Sequence, residues 1–174
     1  LIICSSLKEI NVNPENKAYK SVDGILYNKD MTELVKYPSD KKTIEYIVPD
    51  SVVKINYRSC YGAHFSSVVI PDSVKVIEES AFYHSDTLVT VFIGKNVETI
   101  GTSAFGYCDN ISDVYYSGNE EQWGSIAKGL HIIGSDKDVN YHFDAEKTAD
   151  AVVFGECGKI AGDIKCSLDK NGVI

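Results

Sequence analysis

Five cysteines (Cys4, Cys60, Cys108, Cys157 and Cys166) and four histidines (His64, His84, His131 and His142) are the side chains best suited to nucleophilic or metal chemistry in this chain of 174 residues. A Cys–His nucleophilic pair would have to join Cys60 to His64 or His84. Such a pair works only with a third group that orients the imidazole and with donors that meet an oxyanion, and nothing in the sequence suggests either. No Cys-x-x-Cys pair lies at zinc-ligand spacing from another. The stretch "VDGILYN" (22–28) carries Asp23-Gly24 but lacks the ligand series of a calcium loop, so it reads as a turn. The expectation is therefore a chain with no catalytic residues, no cofactor and no metal, and its purpose must lie in the elements themselves.

Those elements repeat. "IPDSVKVIEESAF" (70–82) is followed 23 positions later by "IGKNVETIGTSAF", and "VPDSVVKINYRSC" precedes it by 22. Aligned, Val48, Ile70 and Ile93 open each unit, followed by Pro49, Pro71 and Gly94. Then come Val52, Val74 and Val97, and Ile55, Ile77 and Ile100. A small residue (Ser59, Ala81, Ala104) precedes a larger apolar one (Cys60, Phe82, Phe105), and Phe65, Leu88 and Ile111 lead into Val68, Val91 and Val114. Repeats of this period mark a solenoid. "LVTVFI" (88–93) and "ISDVYY" (111–116) alternate as strands do, Pro or Gly turns the chain, and "EESAFYHS" (78–85) suits a single helical turn. No coil can bury its apolar side alone, so stacked coils share one core. Cys4 and Cys108 fall in one slot, where a free thiol packs as a small hydrophobe. Both are expected to be buried and too far apart to bridge. Leu7, Ile10 and Val12 take the sites of Ile111, Val114 and Tyr116, so the chain is expected to begin halfway round a coil, as a piece of something longer.

Composition excludes several functions. With Lys+Arg 17 against Asp+Glu 25 the net charge is −8, which repels phosphate backbones and makes nucleic acid an unsuitable partner. The sequence shows no apolar run of the roughly 18 residues that a membrane helix needs.

The spacing L-x-x-V-x-I-P-x-S-V-x-x-I-x-x-x-A-F-x-x-C, carried by these units, resembles the BspA-type leucine-rich repeats of bacterial surface proteins. "YKSVDGILYNKDMTELVKYP" (19–38) is similar to their hairpin-forming insert, and "DVYYSGNEEQW" (113–123) to their closing coil. The resemblance covers roughly residues 1–143. Cys60 departs from it where Phe is expected, in a coil one residue short, and local repacking is expected there. The fold class is thus a leucine-rich repeat solenoid: a parallel β-sheet with short helical turns (β-rich α/β) plus an irregular hairpin insert. Domains follow as a solenoid over 1–143 (insert about 13–46, closing coil about 117–143), a linker over 144–154, and the start of a small β module over 155–174. In that module Cys157 and Cys166 could be bridged in an extracellular setting. Trp123 is expected to lie as a lid over the last coil.

Between the inward residues of each strand lie Ile47, Val69, Phe92 and Tyr115. Strands stacked at about 4.8 Å would make them an outward apolar ladder, with Glu45, Ser67, Thr90 and Asp113 two residues earlier on the same face. Such slots are more usually polar, so the ladder is a candidate protein-binding face. Two plainer explanations remain open: these side chains only stabilise the sheet, or the 13–46 insert covers them. The resemblance implies a non-catalytic protein-binding or adhesion module of a bacterial surface or secreted protein. Its partner would be a protein ligand, such as a host or neighbouring-cell surface protein. The chain itself would be extracellular, monomeric or weakly self-associating, and without membrane insertion. The alternative is an accessory or spacer module of a larger cell-surface enzyme.

Overall fold

A computed structural model describes residues 4–133 and 139–145. Its strands are β1 (Tyr19–Val22), β2 (Ile25–Asn28), β3 (Glu33–Lys36), β4 (Glu45–Ile47), β5 (Lys54–Ile55), β6 (Ser67–Ile70), β7 (Val76–Ile77), β8 (Thr90–Ile93), β9 (Thr99–Ile100) and β10 (Asp113–Tyr116), followed by helix α1 (Glu120–Ser125), β11 (Ala127–Lys128) and β12 (Asn140–His142). They form two sheets, in the orders β12-β10-β8-β6-β4 and β1-β2-β3-β5-β7-β9-β11. Each regular coil gives one strand to each sheet, and every pairing between regular coils is parallel. The fold is a parallel β-solenoid with little helix, as the repeat predicts.

The core lies between the sheets, and its slots stack in register. Val68, Val91 and Val114 are fully buried, as are Ile55, Ile77 and Ile100. Phe82 and Phe105 lie ring on ring, 4.7 Å apart and 3° from parallel. Outside the sheets the backbone still binds coil to coil. The N–H of Cys60 donates to the Ala81 carbonyl (2.8 Å), Phe82 to Ala104 (2.7 Å) and Phe105 to Ile132 (2.8 Å). Gly94 stands where earlier coils have proline, and a Cβ there would lie 2.5 Å from the Pro71 carbonyl carbon.

The turns differ from expectation. "EESAFYHS" is not a helical turn. Arg58, Ser80 and Ser103 share a slot and lie at φ of 51°, 56° and 52°; Gly62, His84 and Tyr107 share another at 64°, 58° and 56°. A left-handed residue breaks the run of i→i−4 bonds, and the freed N–H groups of Ser80 and His84 donate to Thr102 and Gly106 of the next coil. For a residue with a Cβ this conformation costs roughly 1–2 kcal/mol, which the inter-coil bonds offset.

Residues 13–46, read as an insert, contain both a hairpin and strands that continue the solenoid. The antiparallel part is β1–β2–β3, with β1 and β2 joined at Asp23 and Gly24, both left-handed. "KDMT" (29–32) then turns β2 into β3, as read from sequence. From β3 onward the chain runs as a regular level: β3 pairs parallel with β5 and β4 with β6. Tyr37 donates its N–H to the Ser59 carbonyl as Cys60 does to Ala81. Tyr37 therefore occupies the Phe82 column, and Lys36 the small-residue column of Ser59, Ala81 and Ala104. The hairpin also claims residues 7–12, which form no strand. Ile10 N–H donates to the Gly24 carbonyl at 2.7 Å and Val12 N–H to Ser21 Oγ at 3.1 Å. Leu7, Ile10 and Val12 are consequently only half-buried.

Cys60, the missing phenylalanine, is compensated from both sides. Tyr46 stands in register with Val68, and Phe65 where Leu88 and Ile111 stand later. Tyr37, Tyr46 and Phe65 pack at centroid distances of 4.7, 5.1 and 5.7 Å, and Phe65 meets Phe82 edge-on at 6.4 Å. The buried hydroxyls of Tyr27 and Tyr46 satisfy one another at 3.0 Å. Burial pushes the Tyr27 phenol up to about 12.

At the far end Asn119 caps α1 in a reciprocal pair with Gln122. Trp123 packs on the core beside Tyr116 (5.2 Å) and Tyr141 (5.5 Å), in the lid position expected of it. The expected small β module, with Cys157 and Cys166, and all of the 144–154 linker but its first two residues lie outside the described residues.

Cys4 corrects a sequence expectation. Cys108 is buried and free, its thiol donating to the Phe82 carbonyl at 3.0 Å, whereas Cys4 is free but exposed. Among the described residues Cys4 has a neighbouring coil on one side only, where Ser39 Oγ donates to its carbonyl. Burial pushes the Cys60 and Cys108 thiols up to about 12. At pH 8 a thiol of that pKa is ionised about one part in 10⁴, and only the thiolate is nucleophilic. In the native chain iodoacetamide should therefore modify Cys4 rapidly and spare Cys60 and Cys108 until denaturant is added. Equal labelling of the Cys4 and Cys108 peptides in native protein would contradict this placement. The stack predicts further that Phe82→Ala costs about 3–5 kcal/mol. Urea unfolding reads this directly, and an unchanged midpoint would refute the shared core.

Candidate functional site

The ladder residues are positioned by strand phase. In β8 and β10 the inward residues are Val91, Ile93, Val114 and Tyr116, all buried, while Thr90, Phe92, Asp113 and Tyr115 alternate with them and are partly exposed. Parallel pairing without a bulge then sets equivalent residues side by side: Ile47 against Val69, Val69 against Phe92, Phe92 against Tyr115. Glu45, Ser67, Thr90 and Asp113 form the second row in the same register. β1, β2 and β3 all belong to the other sheet, although the Asp23–Gly24 turn lines one hollow with Ile47 at the end of the ladder.

Exposure along the ladder is uneven. Ile47 is 52% exposed, Phe92 and Tyr115 are half-buried, and Val69 is 1% exposed. Val69 was expected outward and accessible; it is a short side chain set in register between Ile47 and Phe92, and presents nothing to a ligand. Phe92 and Tyr115 stack at 4.8 Å and 16°.

The row extends one strand further than the sequence reading took it. His142 of β12 is in register with Tyr115 and stacks on it at 4.3 Å and 10°. Its Nε2 lies 2.9 Å from Asp113 Oδ1, while Ser112 Oγ donates to Asp113 Oδ2 at 2.6 Å. Partial burial pushes the Asp113 carboxyl up, but the bonds from Ser112, His142 and Asn140 outweigh it and hold the group below its ordinary value. Burial, with the Asp113 charge nearby, raises the Tyr115 phenol. The signal for His142 was present: "DVNYHF" reads as a last strand, and aligning its Asn140 with Asp113 places His142 in the ladder.

The opposite sheet offers a contrast. Its outward positions carry ion pairs between adjacent coils, Lys54–Glu78 at 2.7 Å and Lys75–Glu98 at 3.1 Å. The apolar row is therefore a property of one face.

The Cys60–His pair considered from sequence finds no support in the geometry of the described residues. Cys60 is fully buried with its thiol held protonated, His64 Nδ1 faces the Ser39 carbonyl, and His84 Nδ1 lies 3.5 Å from Asp86. Among the described residues no three His, Cys, Asp or Glu side chains gather as metal ligands, and no helix is long and apolar enough to cross a membrane.

Comparison with known proteins agrees with this architecture. The model of the BspA type leucine rich repeat region matches residues 39–127 in six copies. Among solved structures, a leucine-rich repeat protein from Bacteroides capillosus superposes with a TM-score of 0.61 at 19% identity, over 74% of this chain and 99% of that one. Another from Eubacterium ventriosum gives 0.47 at 20% identity, over 72% of this chain and 43% of that one. A leucine rich cell surface protein from Faecalibacterium prausnitzii gives 0.40 at 22%, over 71% and 45%. The chain thus spans less than half the length of the latter two. No curated protein matches it. With the repeat model covering about half of the chain, on the coils whose columns build the core, the chain belongs to the BspA-type leucine-rich repeat family.

Proposed function

We propose that this chain is a non-catalytic protein-binding module, and that it binds through the outer face of the β4–β12 sheet. The observation that carries the reading is the in-register row of Ile47, Phe92, Tyr115 and His142, three of them rings stacked face to face and partly open to solvent. An apolar stripe edged by the polar row of Glu45, Ser67, Thr90 and Asp113 has the form of a contact patch. Aromatic side chains carry much of the energy at such patches. The opposite sheet is laced with ion pairs, and its exposed Tyr19 and Val22 lie on its edge strand β1.

The whole protein's role is a further step. Family resemblance supports adhesion at a bacterial cell surface, in which the solenoid holds the sheet face toward a protein on a host or neighbouring cell.

The test uses binders selected from a displayed library of small folded domains against the intact chain. Phe92→Ser and Tyr115→Ser should abolish most of that binding, while Lys75→Ala on the opposite sheet should leave it intact. Phe92→Ser should lower stability by only about 1 kcal/mol, the worth of one aromatic pair. Binders that distribute evenly over both faces, or that ignore both ladder substitutions, would defeat the reading.

A further inference from the structure

A second surface lies on the turns, away from the ladder. Tyr61, Tyr83 and Tyr107 come from three successive coils and cluster around His84. Tyr61 and Tyr83 stack at 5.9 Å and 14°, and His84 lies 4.9 Å from Tyr83 and 5.0 Å from Tyr107. The Arg58 guanidinium sits over the Tyr57 and Tyr61 rings at 5.1 and 5.5 Å. Tyr107 is 52% exposed and Tyr57 45%, so these rings are not core. Tyr83 leans across Gly106, where a Cβ would meet its ring at 3.1 Å. That glycine lets the rings close into one uneven platform, in which Tyr61 and Tyr83 are near-parallel and His84 stands almost perpendicular to Tyr83 (87°).

Beside the platform is a cavity of about 240 Å³, walled by Tyr61, His84, His64, Asp86 and Lys36 among others. Lys36 is its unusual member. The slot it fills takes Ser59, Ala81 and Ala104 elsewhere, and it is 7% exposed. A buried ammonium needs a counter-charge or a full set of acceptors. The structure gives Lys36 Nζ one hydrogen bond, to the Arg58 carbonyl at 3.1 Å. Asp86, the carboxylate on the cavity wall, is beside His84 at 3.5 Å. Burial holds the Lys36 ammonium below its ordinary pKa, the direction expected of a cation short of partners. Arg58 Nε, outside the cavity wall, is buried without a hydrogen-bond partner.

We propose that this cavity takes the carboxylate of an acidic sugar, with the sugar ring lying on Tyr61 and His84, the two platform rings that line it. An anionic group beside Lys36 would supply the missing acceptors in a desolvated site, where charge-assisted bonds are strongest. The negative faces of aromatic rings suit the C–H face of a pyranose. The volume is below the roughly 300–1,000 Å³ of sites for drug-sized ligands, so one sugar unit fits and a folded segment does not. An extended peptide is disfavoured for another reason. The N–H groups of Cys60, Gly62, Ser80, Phe82 and His84 already donate to the next coil, leaving no free edge for strand addition.

The experiment is an NMR titration of the ¹⁵N-labelled 174-residue chain with sodium glucuronate, glucose and sodium acetate. Glucuronate should produce saturable shifts around Lys36, Tyr61, His84 and Tyr107, and bind at least about tenfold more tightly than either glucose or acetate. Lys36→Met should weaken glucuronate at least about tenfold, and Tyr61→Ala, a change at a half-buried ring on the cavity wall, several-fold. Equal affinity for glucose would show that the cation is irrelevant, and equal affinity for acetate that the platform is; either overturns the proposal. So does an absence of saturable shifts with glucuronate, or shifts confined to the ladder around Phe92. The comparison of ligands needs no variant, so it stands even if Lys36→Met fails to fold.

Discussion

In-register stacking of equivalent side chains between neighbouring coils is the constraint on which everything else here depends. No coil closes a core by itself, so each apolar slot must meet the same slot above and below it. Phe82 on Phe105, 4.7 Å apart and parallel within 3°, is the plainest instance. The spacing equals that between paired strands, so side-chain stacking and backbone pairing reinforce one another. The left-handed turn residues belong to the same logic, since their strain is tolerated where their N–H groups reach the next coil.

The defect at Cys60 shows how strict the constraint is. A cysteine in the phenylalanine column would leave a cavity in a core that packs like a crystal. The neighbouring level fills it: Tyr37 takes the phenylalanine column, Tyr46 replaces a valine, and Phe65 replaces a leucine. Larger rings bring polar hydroxyls, and the Tyr27–Tyr46 bond and the bond between Tyr37 and Thr43 at 2.8 Å satisfy them. One substitution is thus absorbed by several, across two coils.

Registered columns inside produce registered columns outside. The same pairing that stacks Val91 on Val114 sets Phe92 beside Tyr115 and Tyr115 beside His142, and the turns likewise bring Tyr61, Tyr83 and Tyr107 together. A solenoid therefore converts an outward residue repeated at one slot into a continuous surface. Side chains some 22 or 23 residues apart in sequence become neighbours. The ladder arises this way on a sheet face; on the turns Tyr61 and Tyr83 share one slot, and Tyr107 joins them from the slot of His84.

Much of this was already determined by the sequence. The period, the inward slots and the outward phase of Phe92 and Tyr115 follow from apolar letters recurring at fixed positions, because side-chain alternation in a strand admits only two phases. Asp23-Gly24 announced its turn and Trp123 its lid. Tertiary structure alone decided the rest. Lys36 and Tyr37 stand in the core columns although "YPSDKKTIEY" lacks the repeat's letters, since the inter-coil hydrogen bonds, not the residue types, set that register. Leu7, Ile10 and Val12 look like a strand, yet the hairpin holds them instead. Cys4 shares a slot with Cys108, yet it is exposed, because among the described residues a neighbouring coil packs on one side of it only. "EESAFYHS" is compatible with a helix, but its N–H groups find better partners in the next coil. A pattern in one chain specifies which residues are equivalent; only the stack determines which neighbours each of them meets.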